Sequence, residues 1–403
     1  MRRLDAFLPK ARVYGRDRNF VSQGHGAVSR LSPLLRHRLL LEEEVANAAM
    51  EAHGFGRVEK FVQEVYWRRY WKAWLSLRPD VWRETCGFPG PASDADEGKR
   101  ALAAMAGDSG NAVIDHFVRE LLETGYLHNH ARMWFAAWWV HDAGLPWQWG
   151  AAFFMSHLLD GDPASNTLSW RWVAGLQTPG KTYLVRRANL EKYLDHEILV
   201  RVRGCLPKFE SPTPRLPERV IKPEITQWVL QKEQYELGVR TGIWVHEEDL
   251  RPECSPLASL ASPNAVLVTG HSEGWGRHGY SERRIDWLEG ALADTACRVA
   301  SHWKCLVRFE VPGDLGSRLA AWAVEEGIEQ VVALRPEPGP LDDDMARVTQ
   351  LLGEVGVRLV LLDRPEDLTL RPLAKRGFFA FWKDVLSKIA RETNLQGEFK
   401  FTG

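Results

Sequence analysis

Two patterns of hydrophobic and polar positions divide this chain into an N-terminal and a C-terminal half. In the N-terminal half, apolar residues recur at spacings of three and four, which predicts amphipathic helices. The predicted helices cover residues 30–50, 57–78, 110–124, 129–142 and 148–159, and no strand pattern is evident before about residue 260. We therefore expect the N-terminal half to be all-helical.

From residue 264 onward the pattern changes to short apolar runs separated by helical segments. The runs Ala265–Thr269, Gln330–Leu334 and Val357–Leu362 are predicted strands, and the helical segments cover 281–294, 320–326 and 342–354. Strands that alternate with helices indicate a parallel sheet. The expected fold class is α plus α/β, with an all-helical domain followed by a doubly wound parallel α/β domain.

Prolines mark the expected boundary between the two domains. Residues 207–223 contain five prolines, which is typical of an extended connector. We expect a helical domain at 1–206, a proline-rich connector at 207–263 with a short helix near 224–238, an α/β domain at 264–385 and a C-terminal tail at 386–403.

Composition and charge exclude several classes of protein. Of the 403 residues, 45% are hydrophobic and 26% are charged, and the net charge is −1, which is ordinary for a soluble globular protein. The first 20 residues contain no apolar signal segment, the apolar run Met133–Val140 is too short to span a bilayer, and the five cysteines form no CxxC. A reducing, cytoplasmic setting without membrane contact is expected.

Charge is unevenly distributed along the chain. Residues 1–40 contain nine Lys/Arg against two Asp, a net of +7, whereas residues 313–368 contain twelve Asp/Glu against five Arg, a net of −7. The basic segment could face nucleic-acid phosphates, or both segments could be solvated surfaces. Charge alone leaves these alternatives open.

Tryptophan is unusually abundant, with 18 residues, and seven of them lie between residues 124 and 172. Indole is bulky and needs an N–H partner when it is buried, so core packing rarely requires so many. Stacking on flat ligands, or electron transfer between rings, would explain the excess.

One predicted helix face carries Glu64, Trp67, Arg68 and Trp71 at positions i, i+3, i+4 and i+7. Such a face could bind a flat ligand with carbonyl groups, or it could be an amphipathic surface with a Glu64–Arg68 pair. A second helix places Asn129, Arg132 and Met133 together, with Asn129 as a plausible cap.

Asp160, Gly161 and Asp162 follow a predicted helix and precede Asn166. Two carboxylates around a glycine could accept hydrogen bonds from a nucleotide, bind a divalent cation or form a turn. His128 and His130 lack a third ligand nearby, so no metal site is expected.

Taken together in this order, the motifs resemble the catalytic domain of the DNA photolyase and cryptochrome family. The resemblance runs from residue 14 to about 208. It is carried by Tyr14, Ser29–Pro33, Glu64–Arg68, Thr124–Asn129, Arg132-Met133, Phe154–Ser156, Asp160–Asp162, Asn166 and Trp170–Trp172.

The resemblance implies that FAD lies in the helical domain. Tyr14 and the turn Ser29, Arg30, Leu31 and Ser32 would hold its phosphates, and Arg68 would reach it from the helix face. Arg132 would pair with Asp160 beside the flavin ring, Asp162 would bind the ring's uracil-like edge near Gly161, and Asn166 would face flavin N5.

The resemblance also implies light-driven repair of cyclobutane pyrimidine dimers, a lyase activity on damaged DNA, single- or double-stranded. Trp67 and Trp172 would embrace a flipped-out dimer, Glu64 would hydrogen-bond it, and Asn129 and Met133 would line its site, where (6-4) repairers place a histidine. His130 stands where many relatives carry an arginine that contacts DNA.

Trp170 and Trp147 match the inner members of a tryptophan chain that photoreduces FAD, with Trp82 a weaker candidate for the third. The family usually begins with an antenna domain, whereas here residues 327–363 and the segment Phe378–Trp382 resemble the second half of that domain, which suggests a permuted order. The antenna-site pattern is not recognisable, which leaves an antenna chromophore uncertain.

Three functions remain open from the sequence: a dimer photolyase, a cryptochrome-like blue-light photoreceptor without repair activity, and a flavoprotein that has lost its role on DNA. The presence of Glu64, Trp67, Met133 and Trp172 favours repair. A monomer is expected.

Overall fold

The computed structural model describes residues 1–178, 181–217, 220–226, 234–260, 262–311 and 313–392. The N-terminal part of these residues is helical, and the C-terminal part contains a five-stranded parallel sheet flanked by helices. The predicted fold class, α plus α/β in that order, is therefore confirmed.

The N-terminal part is built from helices that vary from one turn to six turns in length. They are α1 (Arg2–Ala11), α2 (Tyr14–Asp17), α3 (Ser32–Arg36), α4 (Glu42–His53), α5 (Phe55–Ser76), α6 (Asp80–Cys86), α7 (Asp96–Met105), α8 (Ala112–Thr124), α9 (Asn129–Ala137), α10 (Trp147–His157), α11 (Pro163–Val173), α12 (Arg187–Tyr193) and α13 (His196–Val202). A π-helical turn, Trp138–Asp142, follows α9.

Helix α5 is the central element of this part. Its apolar residues at three- and four-residue spacing, among them Val58, Phe61, Val62 and Val65, are buried, as the sequence pattern predicted. Helix α11 begins sharply because the Asp162 carboxylate accepts a hydrogen bond from the backbone of the first turn and a proline follows at the next position.

The sheet consists of β1 (Thr241–His246), β2 (Ala265–Thr269), β3 (Leu306–Glu310), β4 (Gln330–Leu334) and β5 (Arg358–Leu362), in the order β3-β2-β1-β4-β5 with every pairing parallel. The remaining helices are α14 (Ser272–Arg277), α15 (Glu282–Trp303), α16 (Leu315–Glu325), α17 (Pro340–Asp343), α18 (Met345–Glu354), α19 (Pro365–Leu370) and α20 (Phe378–Glu392). The chain moves outward from β1 through β2 to β3 and then returns to β4 on the other side, which is the doubly wound arrangement.

The sheet begins earlier than the sequence analysis placed it. Strand β1 lies inside the range 207–263 that was assigned to the connector. It was missed because it is only six residues long, all of them buried, and follows a proline-rich segment. Strand β3 was also missed, since it is a partly exposed edge strand interrupted by Arg308. Within the predicted helix near 224–238, residues 227–233 lie outside the described residues, and the described residues on either side of them are not helical.

The C-terminal helix α20 extends the hydrophobic core of the helical part. Phe378, Phe381 and Trp382 are buried in the same cluster as residues of α1, α4 and α5. The helix runs through residue 392, so the C-terminal segment expected at 386–403 begins as helix. Among the described helices, none combines the length and apolar character needed to cross a bilayer.

Candidate functional site

Two buried carboxylates lie at the turn between α10 and α11. Asp160 is 6% exposed and Asp162 is 1% exposed. Asp162 Oδ1 accepts a hydrogen bond of 2.7 Å from the Ser165 backbone amide, while Oδ2 lies 3.3 Å from Arg68 Nη1. The sequence therefore places one carboxylate so that one oxygen caps a helix and the other faces cations.

Asp162 is surrounded by three cations. Its Oδ2 lies 3.6 Å from Arg36 Nε and 3.8 Å from Lys72 Nζ, in addition to the Arg68 contact. Burial alone would raise the pKa of this carboxyl, but attraction by Lys72, Arg36 and Arg68 brings the pKa well below its usual value. Asp162 is therefore ionised at neutral pH and can accept hydrogen bonds.

Arg132 and Asp160 form the ion pair that the family resemblance implied. Arg132 Nη2 lies 3.0 Å from both oxygens of Asp160, and Arg132 Nε donates to the Leu127 carbonyl at 2.8 Å. Burial raises the pKa of Asp160, but Arg132 and a hydrogen bond from Ser32 more than offset this, so the pKa lies below its usual value. The contact with Ser32 joins the Asp160 turn to the start of α3.

The predicted phosphate-binding segment lies against this turn. Arg30 adopts a positive φ of 53°, and its guanidinium lies 5.2 Å from the ring centre of Tyr126, which Arg132 also approaches, at 5.6 Å. Tyr14 packs edge-on against Phe61. Burial, reinforced by the charge of Glu64, raises the pKa of Tyr14, so its hydroxyl remains a neutral hydrogen-bond donor.

These residues fit a dinucleotide that carries phosphates and a flavin ring. Arg30 is half-buried, but its Nε atom is buried and has no hydrogen-bond partner among the described residues, and a buried N–H group without a partner is costly unless an acceptor completes it. Asp162 and Asp160 present fixed acceptors, which ring N–H groups require. Arg68 and Arg132 retain partial exposure beside those carboxylates.

Asn166 stands one turn into α11, after the Asp162 cap. Its Nδ2 donates to the Ala151 carbonyl of α10 at 2.8 Å, which fixes the orientation of the amide. Asn166 is half-buried, as a residue at the edge of a cavity would be. Its predicted position opposite flavin N5 stays a prediction.

The face of α5 that carries Glu64 and Trp67 adjoins this group of residues. Glu64 is half-buried and forms ion pairs with Arg18, at 3.0 Å, and with Lys60, at 2.8 Å. The Glu64–Arg68 pair, which the sequence left open as an alternative, is not present, and Arg68 contacts Asp162 instead. A ligand that hydrogen-bonds Glu64 would therefore replace one or both of these cations.

Trp67 is packed more closely than the sequence suggested. Phe378 of α20 stacks on it with ring centres 3.6 Å apart and an angle of 8° between the planes, and Trp71 lies 5.1 Å away. One face of the Trp67 indole is thus covered by the C-terminal helix. Trp172 packs 6.0 Å from Tyr183, and no ring contact joins it to Trp67 in the described part of the chain.

Asn129 and Met133 lie together at the start of α9. Asn129 is exposed, and its Nδ2 lies 3.8 Å from the Met133 sulfur. His130, in contrast, is buried, and its ring nitrogens contact the Asn19 carbonyl at 2.9 Å and the Tyr183 hydroxyl at 3.0 Å. The predicted DNA contact by His130 is therefore corrected: the ring faces the protein interior, because α9 points this position towards Asn19 and Tyr183.

The tryptophans form a continuous aromatic cluster around Trp170. Trp170 is 2% exposed and meets Trp139 edge-on at 6.4 Å, and it packs over Gly150, where a Cβ would lie 2.2 Å from its ring. Trp147, one turn before Gly150, contributes to the same cluster. Trp82 packs in a different hydrophobic cluster, the one that contains residues of α1, α4 and α5, and its Nε1 donates to Asp343 at 2.9 Å. It therefore does not extend the aromatic cluster around Trp170.

Sequence reasoning missed Arg36 and Lys72, which lie next to Asp162, and Glu248, which contacts both of them. Arg36 and Lys72 are buried, and each is a basic residue inside an otherwise apolar helical pattern, which was the available signal. Glu248 lies about 200 residues away from both, and no local pattern relates it to them.

A separate group, His271, Glu273 and Asp344, has ligand atoms within 4.8 Å of one another and is the metal-compatible group found among the described residues. Asp344 is already paired with Arg277, whose Nη1 lies 3.0 Å from Oδ1, and with His271 at 2.6 Å. A cation would have to displace that arginine.

Comparison with known proteins agrees with this geometry. Residues 61–196 match a family described as the FAD binding domain of DNA photolyase. The chain is 36% identical over 163 residues to a deoxyribodipyrimidine photo-lyase of Streptomyces griseus, an alignment that covers 38% of this chain and 33% of that protein. It is 30% identical over 149 residues to the Escherichia coli protein of that name, covering 36% and 30%.

Partial similarity is also found to solved structures. They include a bacterial class III photolyase from Agrobacterium tumefaciens, at 26% identity and a TM-score of 0.42, and a Synechocystis cryptochrome, at 24% and 0.43. Each covers 51% of this chain and 44% of the other chain. The aligned part of this chain spans about a third of the length of the curated relatives. The sequence matches confirm the resemblance to the photolyase family and the prediction of an FAD-binding domain.

Proposed function

We propose that this chain is an FAD-dependent photolyase that repairs cyclobutane pyrimidine dimers in DNA under blue light. One observation carries the proposal. The carboxylates and guanidinium groups suited to a flavin dinucleotide adjoin a face that carries Glu64 and Trp67, so a cofactor site and a substrate site share one set of helices.

When bound in its reduced form, FAD supplies the light-activated electron that opens a dimer. The protein supplies the surroundings. Asp162 and Asp160, which Arg68 and Arg132 hold in place, would accept hydrogen bonds from the ring edge. The half-buried amide of Asn166 is neutral, so it would tolerate an N–H group opposite it.

Glu64 and Trp67 would act on the damaged bases. A flipped-out dimer needs a flat apolar surface, and stacking on an aromatic ring contributes about 1–3 kcal/mol per base. Glu64 would leave Arg18 or Lys60 and hydrogen-bond the dimer when the lesion enters. Asn129 and Met133, at the exposed start of α9, would line the lesion site.

A second candidate function is a cryptochrome-like photoreceptor without repair activity. It is favoured by two contacts: Phe378 covers one face of Trp67, and Glu64 is already engaged by two cations. Both contacts reduce the surface of Trp67 and Glu64 that a lesion could contact.

The deciding experiment uses the full chain with FAD bound and reduced. A dimer-containing oligothymidine is irradiated with blue light, and recovery of the thymine absorbance band is followed, with a dark sample as control. Photolyase activity restores the band in the light sample. A receptor without repair activity would return no thymine, which would refute the repair proposal.

Two variants test the substrate face. Glu64→Ala and Trp67→Ala should lower the repair rate at least tenfold, the equivalent of about 1.4 kcal/mol in the barrier, with FAD retained. The matched control is Glu59→Ala, an exposed acid on the same helix, which should repair at the wild-type rate. Loss of FAD from either site variant would instead indicate a role in the cofactor site.

A further inference from the structure

The edge of the sheet where the carboxyl ends of β1 and β4 meet is turned towards the helical part. In doubly wound folds, the crevice beyond these two strand ends is the usual ligand site. Here acidic residues that follow the strands cross to the helical part: Glu248 contacts Arg36, Asp249 contacts Arg38, and Glu337 contacts Ser76. The crevice thus serves as a docking surface between the two parts of the chain.

Glu248 makes the most direct of these contacts. Its two carboxylate oxygens accept hydrogen bonds from both terminal nitrogens of Arg36, at 2.6 and 2.5 Å, in a parallel two-bond geometry. Arg36 and Glu248 are both buried. Burial raises the pKa of Glu248, but Arg36 outweighs this and lowers the pKa to about 2.

Arg36 links Glu248 to Asp162. The Nε atom of Arg36 donates to the Gly161 carbonyl at 3.3 Å and lies 3.6 Å from Asp162 Oδ2. Lys72 Nζ lies between the same two carboxylates, 3.8 Å from Asp162 and 4.0 Å from Glu248. The α/β part therefore contributes one carboxylate to a buried cluster that includes the predicted flavin-edge carboxylate.

Charge balance in this cluster depends on Glu248. Asp162 and Glu248 together face the three cations Arg36, Lys72 and Arg68. Without Glu248, Arg36 would lose both terminal hydrogen bonds, and the buried cations Arg36 and Lys72, with the partly exposed Arg68, would compete for one carboxylate. The guanidinium would then turn to Asp162 and occupy the oxygen that a ring N–H group needs.

We propose that Glu248 is a positioning residue of the flavin site: by holding the terminal nitrogens of Arg36 in a two-bond pair, it keeps them away from Asp162 Oδ2, which Arg68 contacts, and so leaves this oxygen an acceptor position for the flavin's uracil-like edge. The α/β part thus completes the cofactor site from across the boundary. The inference rests on the proposed function for the identity of the cofactor.

The test compares Glu248→Gln with Asp249→Asn in the full chain. Asp249 is the next residue, is also buried and pairs across the same boundary with Arg38 at 3.0 Å, but its partners, Arg38 and Arg364, do not contact Asp162. Each protein is titrated with FAD, and the dissociation constant, the flavin absorption band and the flavin reduction potential are measured. Urea unfolding of each protein is recorded in parallel.

Glu248→Gln should weaken FAD binding about tenfold or more and shift the flavin band and potential. Asp249→Asn should lose comparable stability yet keep the wild-type FAD affinity and spectrum. If the FAD affinity and spectrum of Glu248→Gln equal those of the wild type, or if the two variants change FAD binding equally, the inference is overturned. If Glu248→Gln does not fold, Glu248→Asp, which retains the charge on a shorter side chain, is measured with the same readouts and should show a weaker form of the same shift.

A failure of the proposed function would be visible separately. A wild-type protein that binds no FAD would overturn both proposals. A wild-type protein that binds FAD without repairing DNA, while Glu248→Gln shows the predicted shift, would overturn the repair function alone.

Discussion

Replacement of Asp162 by asparagine tests the electrostatics of the site most directly. The Asp162 Oδ1 that caps α11 would be kept, because asparagine caps a helix as well as aspartate does. The Oδ2 that faces Arg68, Arg36 and Lys72 would become an NH2 group, a donor placed against three cations. The substitution therefore removes the charge and keeps the cap.

The expected magnitude follows from burial. Removal of one partner from a buried ion pair costs about 3–5 kcal/mol, because the other charge stays buried without compensation. Glu248 remains beside Arg36, and Arg68 is 12% exposed, so we expect the lower end, about 3 kcal/mol. That is a large part of the total stability, about 5–15 kcal/mol, of a typical folded domain.

The assay is urea unfolding of the Asp162→Asn variant and the wild type at several pH values. Asp162 has its pKa lowered in the folded state, so its stabilisation is fully present at neutral pH and is lost as the pH falls below about 4. The difference between the two proteins should shrink over that range. Asp314→Asn is the control, because Asp314 also caps a helix but pairs with Arg347, which is 63% exposed; its loss should stay below about 1 kcal/mol.

A loss below about 1 kcal/mol for Asp162→Asn at neutral pH would show that relaxation or water already compensates the three cations. The same would follow if the difference between variant and wild type did not change with pH. In either case the argument that this carboxylate is held for a ligand would lose its energetic basis.

Two further predictions concern buried groups elsewhere. Burial and the charge of Glu248 raise the pKa of Glu247 to about 7. Relative to a Glu247→Gln variant, the wild type should therefore lose up to about 3 kcal/mol of unfolding free energy as the pH rises from about 5 to 7. Urea unfolding free energies of the two proteins that change in parallel over this range would contradict the prediction. Trp170→Phe should slow photoreduction of bound oxidised FAD about tenfold or more with FAD affinity unchanged, as followed by absorbance under blue light. Trp139→Phe and Trp147→Phe in the same assay show which indole follows Trp170, and an unchanged rate in the Trp170 variant would exclude the predicted relay.

Local patterns were sufficient to predict much of the helical part and of the site. The helix predicted from residue 30 begins as α3 at Ser32, and the pairing of Arg132 with Asp160 is present. These features depend on residues within one helix or on motifs that the family resemblance supplies. The single helix predicted for 30–50 is instead two helices, α3 and α4, separated at residues 37–41. The separation was not predicted because no glycine or proline marks a break within those residues.

Features that depend on contacts between distant segments were not predictable. His130 reads as polar and accessible in the sequence, but its burial is set by Asn19 and Tyr183, more than 50 residues away in either direction. The cover of Trp67 by Phe378 joins residues at opposite ends of the chain. The periodicity of hydrophobic residues identifies which face of a helix is buried, but not which segment of the chain packs against that face.

The two parts of this chain meet through charged side chains that are buried rather than solvated. Arg38 and Arg69 of the helical part both pair with Asp367 of α19, which adds to the Arg36–Glu248 contact. Buried ion pairs contribute little net stability over apolar contacts, but a mismatch leaves an uncompensated charge and is strongly unfavourable. Such an interface therefore specifies one docking geometry.

That geometry depends on matched surfaces and not on the order in which the chain supplies them. An α/β part that follows the helical part can present Glu248 to Arg36 as well as one that precedes it, provided that the linking segment reaches. The basic N-terminal segment and the acidic C-terminal segment, which the sequence left open between nucleic-acid contact and solvated surface, provide part of this match through Arg38 and Asp367. The charge asymmetry of the chain is thus explained in part by internal docking, and only the remaining basic residues are available for a nucleic acid.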